Sequence, residues 1–366
     1  MLRWLLSGER CEARVVLRRG GPLVAEYRSL APCHVVDNPV VRTLDRVSAG
    51  IGSVRGTPNA ELGLIHGAGL WPRLRSQAAT DVVVANTLAA LELATSLVTP
   101  GAALVCHVHE LDHVAQRVLA NSRRRTLLDS VDRFIATGPA VAAMLIDRWG
   151  VNPSRVYPVD AFIEEPKPSR ESVGRARHVL TGGSMRPVVL SVGAMRRRKG
   201  PEEFVDLMGM LAELPTKPRG VWLGGDPQSS ERQETEGDIR RAGLQGDVRV
   251  MESVADASPY IAASDVVVSV AREDPFPLVA LEAGALGVPV IGFDAGGLGH
   301  ILGSAGSPDM AVPLGDLYRM TDRLGLLLSD EEYRRQQGES LQSWVLGTHL
   351  VDHVAPVLWQ AIIGDR

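Results

Sequence analysis

Short β-branched runs alternate with stretches of helical spacing along the first part of the chain. The runs are EARVVL, CHVV, DVVVANT, GAALVCHV, DRFIATG and RVYPV. Several are apolar at successive positions, which suits strands covered on both faces rather than a sheet half in water. Between them, Asn86 to about Val98 and Val141 to Trp149 carry helical spacing, the second ending near Gly150. Strands separated by helices predict an α/β lobe with a mainly parallel sheet, Rossmann-like, over residues 1–162. Its opening is unusual: MLRWLLSGE reads as a helix, where such a lobe usually begins with a strand and a ligand-binding turn. A start site assigned too late and a real departure both account for this, and either way part of a binding site is expected to be missing, with the sheet edge poorly covered.

Residues 163–186, IEEPKPSRESVGRARHVLTGGSMR, are rich in Pro, Gly, Ser and charge, lack clean periodicity and are expected to form a linker. Alternation then resumes. PVVLSVGAM predicts a strand and PEEFVDLMGMLAEL a helix, with Pro201 in its first turn and Phe204, Val205, Met208 and Leu211 spaced to cover a sheet. VWLGG, VRVME, SDVVVSV and VPVIGF supply further strands, so residues 187–338 are expected to form a second Rossmann-like lobe. Glu331 to Ile363 is helical in pattern, and residues 339–366 are expected to pack back toward the first lobe.

Composition narrows the partners. The 366 residues are 45% apolar and 22% charged, suiting a two-lobed globular protein, and the aromatic content of 4% argues against an aromatic-lined polymer groove. A net charge of −4 gives no broad footprint for nucleic acid. A small patch for peripheral membrane contact would not register in that total, so this partner stays open. Cys11, Cys33 and Cys106 are too few and too widely spaced to suggest a disulfide scaffold or thiolate metal site. No apolar run reaches membrane-spanning length and MLRWLLSGERCEA is short and polar for a signal peptide, so a cytoplasmic location is the default.

Chemistry enters with REDPFPLVALEAGALGVPVI, which sets Asp274 and Glu282 eight positions apart in an otherwise apolar run. Asp274 follows a predicted strand, where open α/β sheets collect ligands, and Glu282 lies in the next helix. Phe276-Pro277 suits the turn between them, and the amides of Leu278 and Val279 at the helix start suit phosphate. Two readings stand: carboxylates that accept from ligand hydroxyls, or an Asp at a helix start and a Glu on a solvated face. SVGAMRRRKG is the second feature, with Gly193 allowing close backbone approach and Arg198 and Lys199 offering charge to phosphate; a solvated basic run is the alternative. No Walker-type loop is present, which disfavours a standard phosphate-loop ATPase.

HELDH, His109 through His113, fits the HExxH pattern of zinc proteases, with His107 nearby. A metal-dependent hydrolase is therefore a competing reading. Against it, GAALVCHV runs as a buried strand straight into the motif, whereas the two histidines must lie one turn apart on a helix.

Together, SVGAMRRRKG, VWLGGDP and ASPYIAASDVVVSVAREDPFPLVALEAGALGVPVIGFDAGG resemble the GT-B glycosyltransferases, in particular the retaining family 4 group. NTLAA, HVHEL and FIATGPAV resemble the first lobe more loosely. The resemblance implies two Rossmann-like lobes facing across a cleft, with a nucleoside-diphosphate sugar held chiefly by the second. It implies donor contacts at Gly193, Arg198, Lys199, Phe276, Leu278, Val279 and Glu282, and catalytic roles for His109, Arg198, Lys199, Asp274 and Glu282. His109 would face the reacting sugar, and Glu110 and Asn86 are acceptor-side candidates. The implied reaction is front-face transfer to an acceptor hydroxyl with retained anomeric configuration, needing neither metal nor further cofactor. The acceptor would be a glycan, a lipid-linked molecule or a small molecule; no nucleic acid is implied, and the oligomeric state is left open. An acceptor on lipid would take the reaction to the inner face of the cytoplasmic membrane, with polysaccharide assembly as the setting.

Four positions depart from the family pattern. Asp274 stands where a glutamate is usual, Pro277 where glycine is frequent, Ala194 where an arginine is common, and His300 where an acid is frequent. With the unusual opening, these departures keep a second class in view: a non-catalytic nucleotide-sugar or glycan-binding protein with a degenerate first lobe.

Overall fold

The computed structural model describes residues 2–8, 10–36, 80–120 and 125–364. The chain divides into two compact units, one made of Met1–Val108, Val118–Ile135 and Trp359–Arg366, the other of His109–Arg117 and Ala136–Leu358.

In the first unit the opening segment is helical over Leu2–Ser7, as its pattern predicts. β1 (Val15–Leu17) pairs in parallel with β2 (Cys33–Val35). β3 (Val82–Ala85) pairs in parallel with β4 (Ala103–Val108), Val82 opposite Ala103. They belong to a four-stranded sheet with β5 (Arg133–Ala136) and β6 (Val156–Pro158), in the order β3-β4-β5-β6. The helix predicted from Asn86 starts later. Thr87 accepts a hydrogen bond from the Ala89 amide at 3.2 Å, a tight turn occupies Leu88–Ala90, and the α-helix proper is Leu91–Leu97. At the end of the chain, Arg133 Nη2 donates to the Ile362 carbonyl at 2.5 Å, tying the last turn of the Val351–Ile363 helix to β5 within this unit.

The second unit is built on six parallel strands: β7 (Val188–Val192), β8 (Arg219–Leu223), β9 (Val248–Met251), β10 (Val266–Ser269), β11 (Val290–Phe293) and β12 (Ala311–Val312). Their order is β12-β11-β10-β7-β8-β9. From β7 the chain winds outward through β8 to β9, returns to β10 beside β7, and winds the other way. The order therefore reverses between β7 and β10. Helices covering the two strands leave on opposite faces there, opening a crevice at the carboxyl ends. The Pro201–Leu211 helix buries Phe204, Val205, Met208 and Leu211 as its spacing predicts, and Phe204 meets Trp222 of β8 edge-on at 5.5 Å.

Residues 163–186 differ from the expected linker by carrying a twelve-residue helix, Arg170–Thr181. Ser169 caps it by accepting from the Ser172 amide, and Gly182 ends it in the left-handed region. Ala176, Leu180 and Thr181 are buried. Arg177 donates to Asp265 at 2.7 Å, and the same carboxylate oxygen accepts from the Val188 amide at 2.7 Å, which fixes the helix to the beginnings of β7 and β10. With so few apolar positions among five charged or imidazole side chains, the spacing hardly rises above the background; the core of the second unit decides it.

The Glu331–Thr348 helix begins at its Asp330 cap and lays Leu341 and Val345 against Gly284, where an added Cβ would stand 2.8 Å from each. Among the described residues no helix is long and apolar enough to cross a membrane.

Candidate active site

The crevice between β7 and β10 is lined by two loops. After β7, Gly193 takes φ +147°, its amide donates to Leu223 O at 2.9 Å, and its carbonyl accepts from Trp222 Nε1 at 2.8 Å. A side chain there would disfavour that φ and, at 3.7 Å, reach the stem of Lys199. The chain then makes a single tight turn, Arg197–Lys199, before the Pro201–Leu211 helix.

Beyond β10, residues 272–274 lace this turn in place. The Arg272 amide donates to Arg198 O at 2.8 Å, Arg272 Nη1 to Arg197 O at 3.0 Å, and Arg198 Nη1 to Glu273 O at 3.2 Å. Lys199 Nζ meets Asp274 Oδ2 at 2.5 Å, with the two side chains only 19% and 12% exposed. Arg272 is braced in turn by Glu203 at 2.6 Å. A small open hollow lies beside Lys199, with Val192, Trp222, Ser269, Ala271 and Val279 also in its wall. Arg196, near the alanine at 194, turns to Glu231 at 2.9 Å.

The acidic loop is anchored on its other side by β11. The Asp274 amide donates to Ala295 O and the Gly297 amide to Asp274 O, both at 2.9 Å, making an isolated parallel bridge between Asp274 and Gly296. Pro277 then caps the Leu278–Ala285 helix, so that the first free helical amides are those of Leu278 and Val279; the Ala280 amide already donates to Pro277 O. Leu278 is half exposed and Val279 lines the hollow. Glu282, one turn on, is partly buried, and burial foremost, with the nearby Asp256 charge second, pushes its carboxyl above the ordinary value. Phe276, expected beside the donor, has its ring turned inward: it is 5% exposed, stacked on His349 at 5.9 Å and edge-on to His300 at 6.2 Å.

HELDH takes a third edge of the same loop. β4 ends at Val108 and the next helix begins at Asp112, so His109 lies in the connection and His113 on the helix. Two histidines one turn apart on a single helix, which the zinc reading requires, are therefore not formed. Instead the His109 amide donates to Glu110 Oε2 at 3.0 Å, and His109 Nδ1 shares a 3.0 Å hydrogen bond with Thr137 Oγ1. Burial pushes the His109 pKa down, favouring the neutral ring. The His113 amide donates to Glu273 Oε2 at 3.0 Å, joining this segment to the Asp274 loop. Glu110 is buried. Asn86 lies just past β3, exposed, and belongs to the first unit.

The structure thus gathers Gly193, Arg198, Lys199, Asp274 and Val279 around one crevice and adds residues the sequence did not single out. Arg272 and Glu273 hide inside the same motif, where their charge reads as surface. His300 and His349 both meet Asp160 from distant parts of the chain, and only the positions of Asp160 after a strand and of His349 at a helix end mark them.

Two family models match the chain: glycosyl transferases group 1 over residues 175–344, and glycosyltransferase family 4 over residues 6–163. Among curated proteins, the chain is 27% identical over 225 residues to the D-inositol 3-phosphate glycosyltransferase of Nocardia farcinica, covering 58% of this chain and 49% of that protein. It is 30% identical over 261 residues to the 2-deoxystreptamine N-acetyl-D-glucosaminyltransferase of Streptomyces fradiae, covering 68% and 58%. The chain therefore spans less than two thirds of the length of these relatives. Among solved structures, sucrose-phosphate synthase of Thermosynechococcus elongatus superposes with a TM-score of 0.76 at 21% identity, over 98% of this chain and 90% of that one. The Anabaena protein HepE, in complex with UDP and glucose, superposes at 0.79 and 19%, over 96% and 92%. With one model on each half and the GT-B fold shared at full length, the chain belongs to the glycosyltransferases of family 4 and group 1.

Proposed function

We propose that the chain transfers a glycosyl group from a nucleoside-diphosphate sugar to an acceptor hydroxyl, with retention of the anomeric configuration. One observation carries this reading: Lys199, paired with Asp274, lines a hollow at the switch point of the second sheet together with Val279, whose amide is among the first of the Leu278–Ala285 helix. Cation and amides suit a diphosphate, while carboxylates suit the hydroxyls of an attached sugar.

On binding, the diphosphate draws Lys199 from Asp274, releasing that carboxylate to accept from the sugar, and Glu282 accepts from a further hydroxyl. As the bond from the anomeric carbon to phosphate breaks, Arg198, Lys199 and the helix-start amides stabilise the charge gathering on the leaving oxygen. The acceptor oxygen bonds to the same face of the sugar and its proton passes to the departing phosphate. In this reading His109, its neutral ring favoured by burial, accepts from the sugar, and Glu110 contacts the acceptor.

The donor base is proposed to be uracil, since HepE is captured with UDP-glucose. Both curated relatives described above carry hydroxylated carbocycles in their names, so a small polyhydroxylated ring leads the acceptor candidates, ahead of a lipid-linked glycan. A cytoplasmic setting, at the inner membrane face for a lipid acceptor, belongs to the same reading. A panel of UDP-, GDP- and ADP-sugars with such acceptors, followed by mass spectrometry, tests it. Transfer is expected from one donor class, with Lys199→Ala lowering kcat about 10²–10³-fold, the cost of one preorganised charge donor. Nucleotide-sugar binding without transfer or donor hydrolysis, in this chain and in an upstream-extended one, would instead identify a binding protein.

A further inference from the structure

The inward-facing ring of Phe276 is held by a cluster outside the reaction just described. Asp160 Oδ2 lies 3.1 Å from His300 Nε2 and 3.3 Å from His349 Nε2. A carboxylate can only accept, so both rings present Nε2–H to the one oxygen. His349 is 4% exposed, with Trp344 on one ring contact at 4.0 Å and Phe276 on another at 5.9 Å. Its Nδ1 lies 2.6 Å from Thr348 Oγ1. Gly138 closes the remaining side, where a Cβ would stand 2.7 Å from the Phe276 ring.

Burial, the largest single influence, works to raise the Asp160 pKa, but the hydrogen bonds and charge of His349 and His300 outweigh it and keep the carboxyl below its ordinary value. The cluster is therefore charged and satisfied. The histidine at 300 thus has a carboxylate partner here, where a second carboxylate would be repelled.

We propose that Asp160, His300 and His349 act as one positioning unit, clamping the Phe276 ring so that the following amides of Leu278 and Val279 stay aimed at the diphosphate. The three residues do not touch the donor. They act through Phe276, which is followed only by Pro277 before the helix starts. The proposal rests on the glycosyltransferase reading for its consequence, but the clamp itself is measurable without a donor.

Amide hydrogen exchange in the unliganded protein and calorimetric titration with UDP, ADP and GDP provide the test. Asp160→Asn and His300→Ala are expected to speed exchange about tenfold at Ala280 and Gly297, whose amides are bonded to Pro277 O and Asp274 O on either side of Phe276, with the rest of the second unit unchanged, and to weaken diphosphate binding about tenfold. His300→Gln keeps an N–H donor near the position of Nε2 and is expected to stay within twofold of the parent on both measures. Local exchange and affinity unchanged in folded Asp160→Asn and His300→Ala would overturn the clamp. So would faster exchange spread evenly over the unit, which marks general stability rather than positioning. Should the parent protein bind none of the three diphosphates, the glycosyltransferase reading fails, and the exchange pattern alone still decides the clamp.

Discussion

Glu282 is held in a place that disfavours its own charge. Burial and the neighbouring Asp256 raise its pKa, so the folded state binds the proton more tightly than the unfolded chain does. The contribution to stability is full below the unfolded value and is lost as pH rises through the folded one, so that ionising Glu282 works against the fold. Glu282→Gln is thus expected to raise the urea midpoint at pH 7 while lowering transfer about tenfold or more, the cost of one charged hydrogen bond to a sugar hydroxyl. The stability gain should shrink toward pH 4, and its absence at pH 7 would show that the carboxylate is already compensated. Lys199 and Asp274 illustrate what residue types alone leave open. The motif marks both as ligand groups, but that each is the other's partner before a ligand arrives depends on 75 residues of intervening fold. The alanine at 194 is not replaced in place by Arg196, whose guanidinium is committed to Glu231; Arg198 stands nearer the crevice through its bond to Glu273.

Elements follow local signals where apolar spacing is dense. The strands from PVVLSV to VPVIGF and the Pro201–Leu211 helix are legible because most of their faces are buried, whereas the Arg170–Thr181 helix is not, since only Ala176 and its last two residues are buried in the core. The delayed helix after Asn86 has a local cause in the Thr87 hydroxyl, a signal too short to outweigh the periodicity that follows. Connections are stricter than elements here. Gly296 takes φ +133°, and a Cβ on it would stand 2.1 Å from Asp274 O, the carbonyl beside which the acidic loop is bridged. Gly296→Ala is expected to cost about 1–3 kcal/mol through overpacking and backbone strain, read as a lowered urea midpoint together with weaker diphosphate binding. Gly303→Ala is the control: nothing lies within 4 Å of its added Cβ, and within the Leu298–Ser304 helix the change should stabilise by about 0.5–1 kcal/mol. Equal midpoints for the two variants would remove the argument from close approach.

At the scale of the whole molecule, two compact units imply unfolding that need not be a single transition. Scanning calorimetry is expected to resolve more than one component, and a bound nucleoside diphosphate at about 100 times its Kd should add about 2.7 kcal/mol to the component of the second unit only. A shift shared equally by every component would argue against a donor site confined to that unit. The sequence by itself determined the α/β class, the succession of strands, the family resemblance and a few of the residues beside the crevice, such as Lys199 and Val279, because apolar period and short motifs are local properties carried by neighbouring side chains. The tertiary structure decided that β7 and β10 are neighbours with reversed winding beyond them, that the 163–186 segment contributes a core helix, and that Phe276 faces inward to Asp160, His300 and His349. Those outcomes turn on contacts between residues up to 189 positions apart, whose energies exist only once the chain has closed on itself, and no window of sequence contains them.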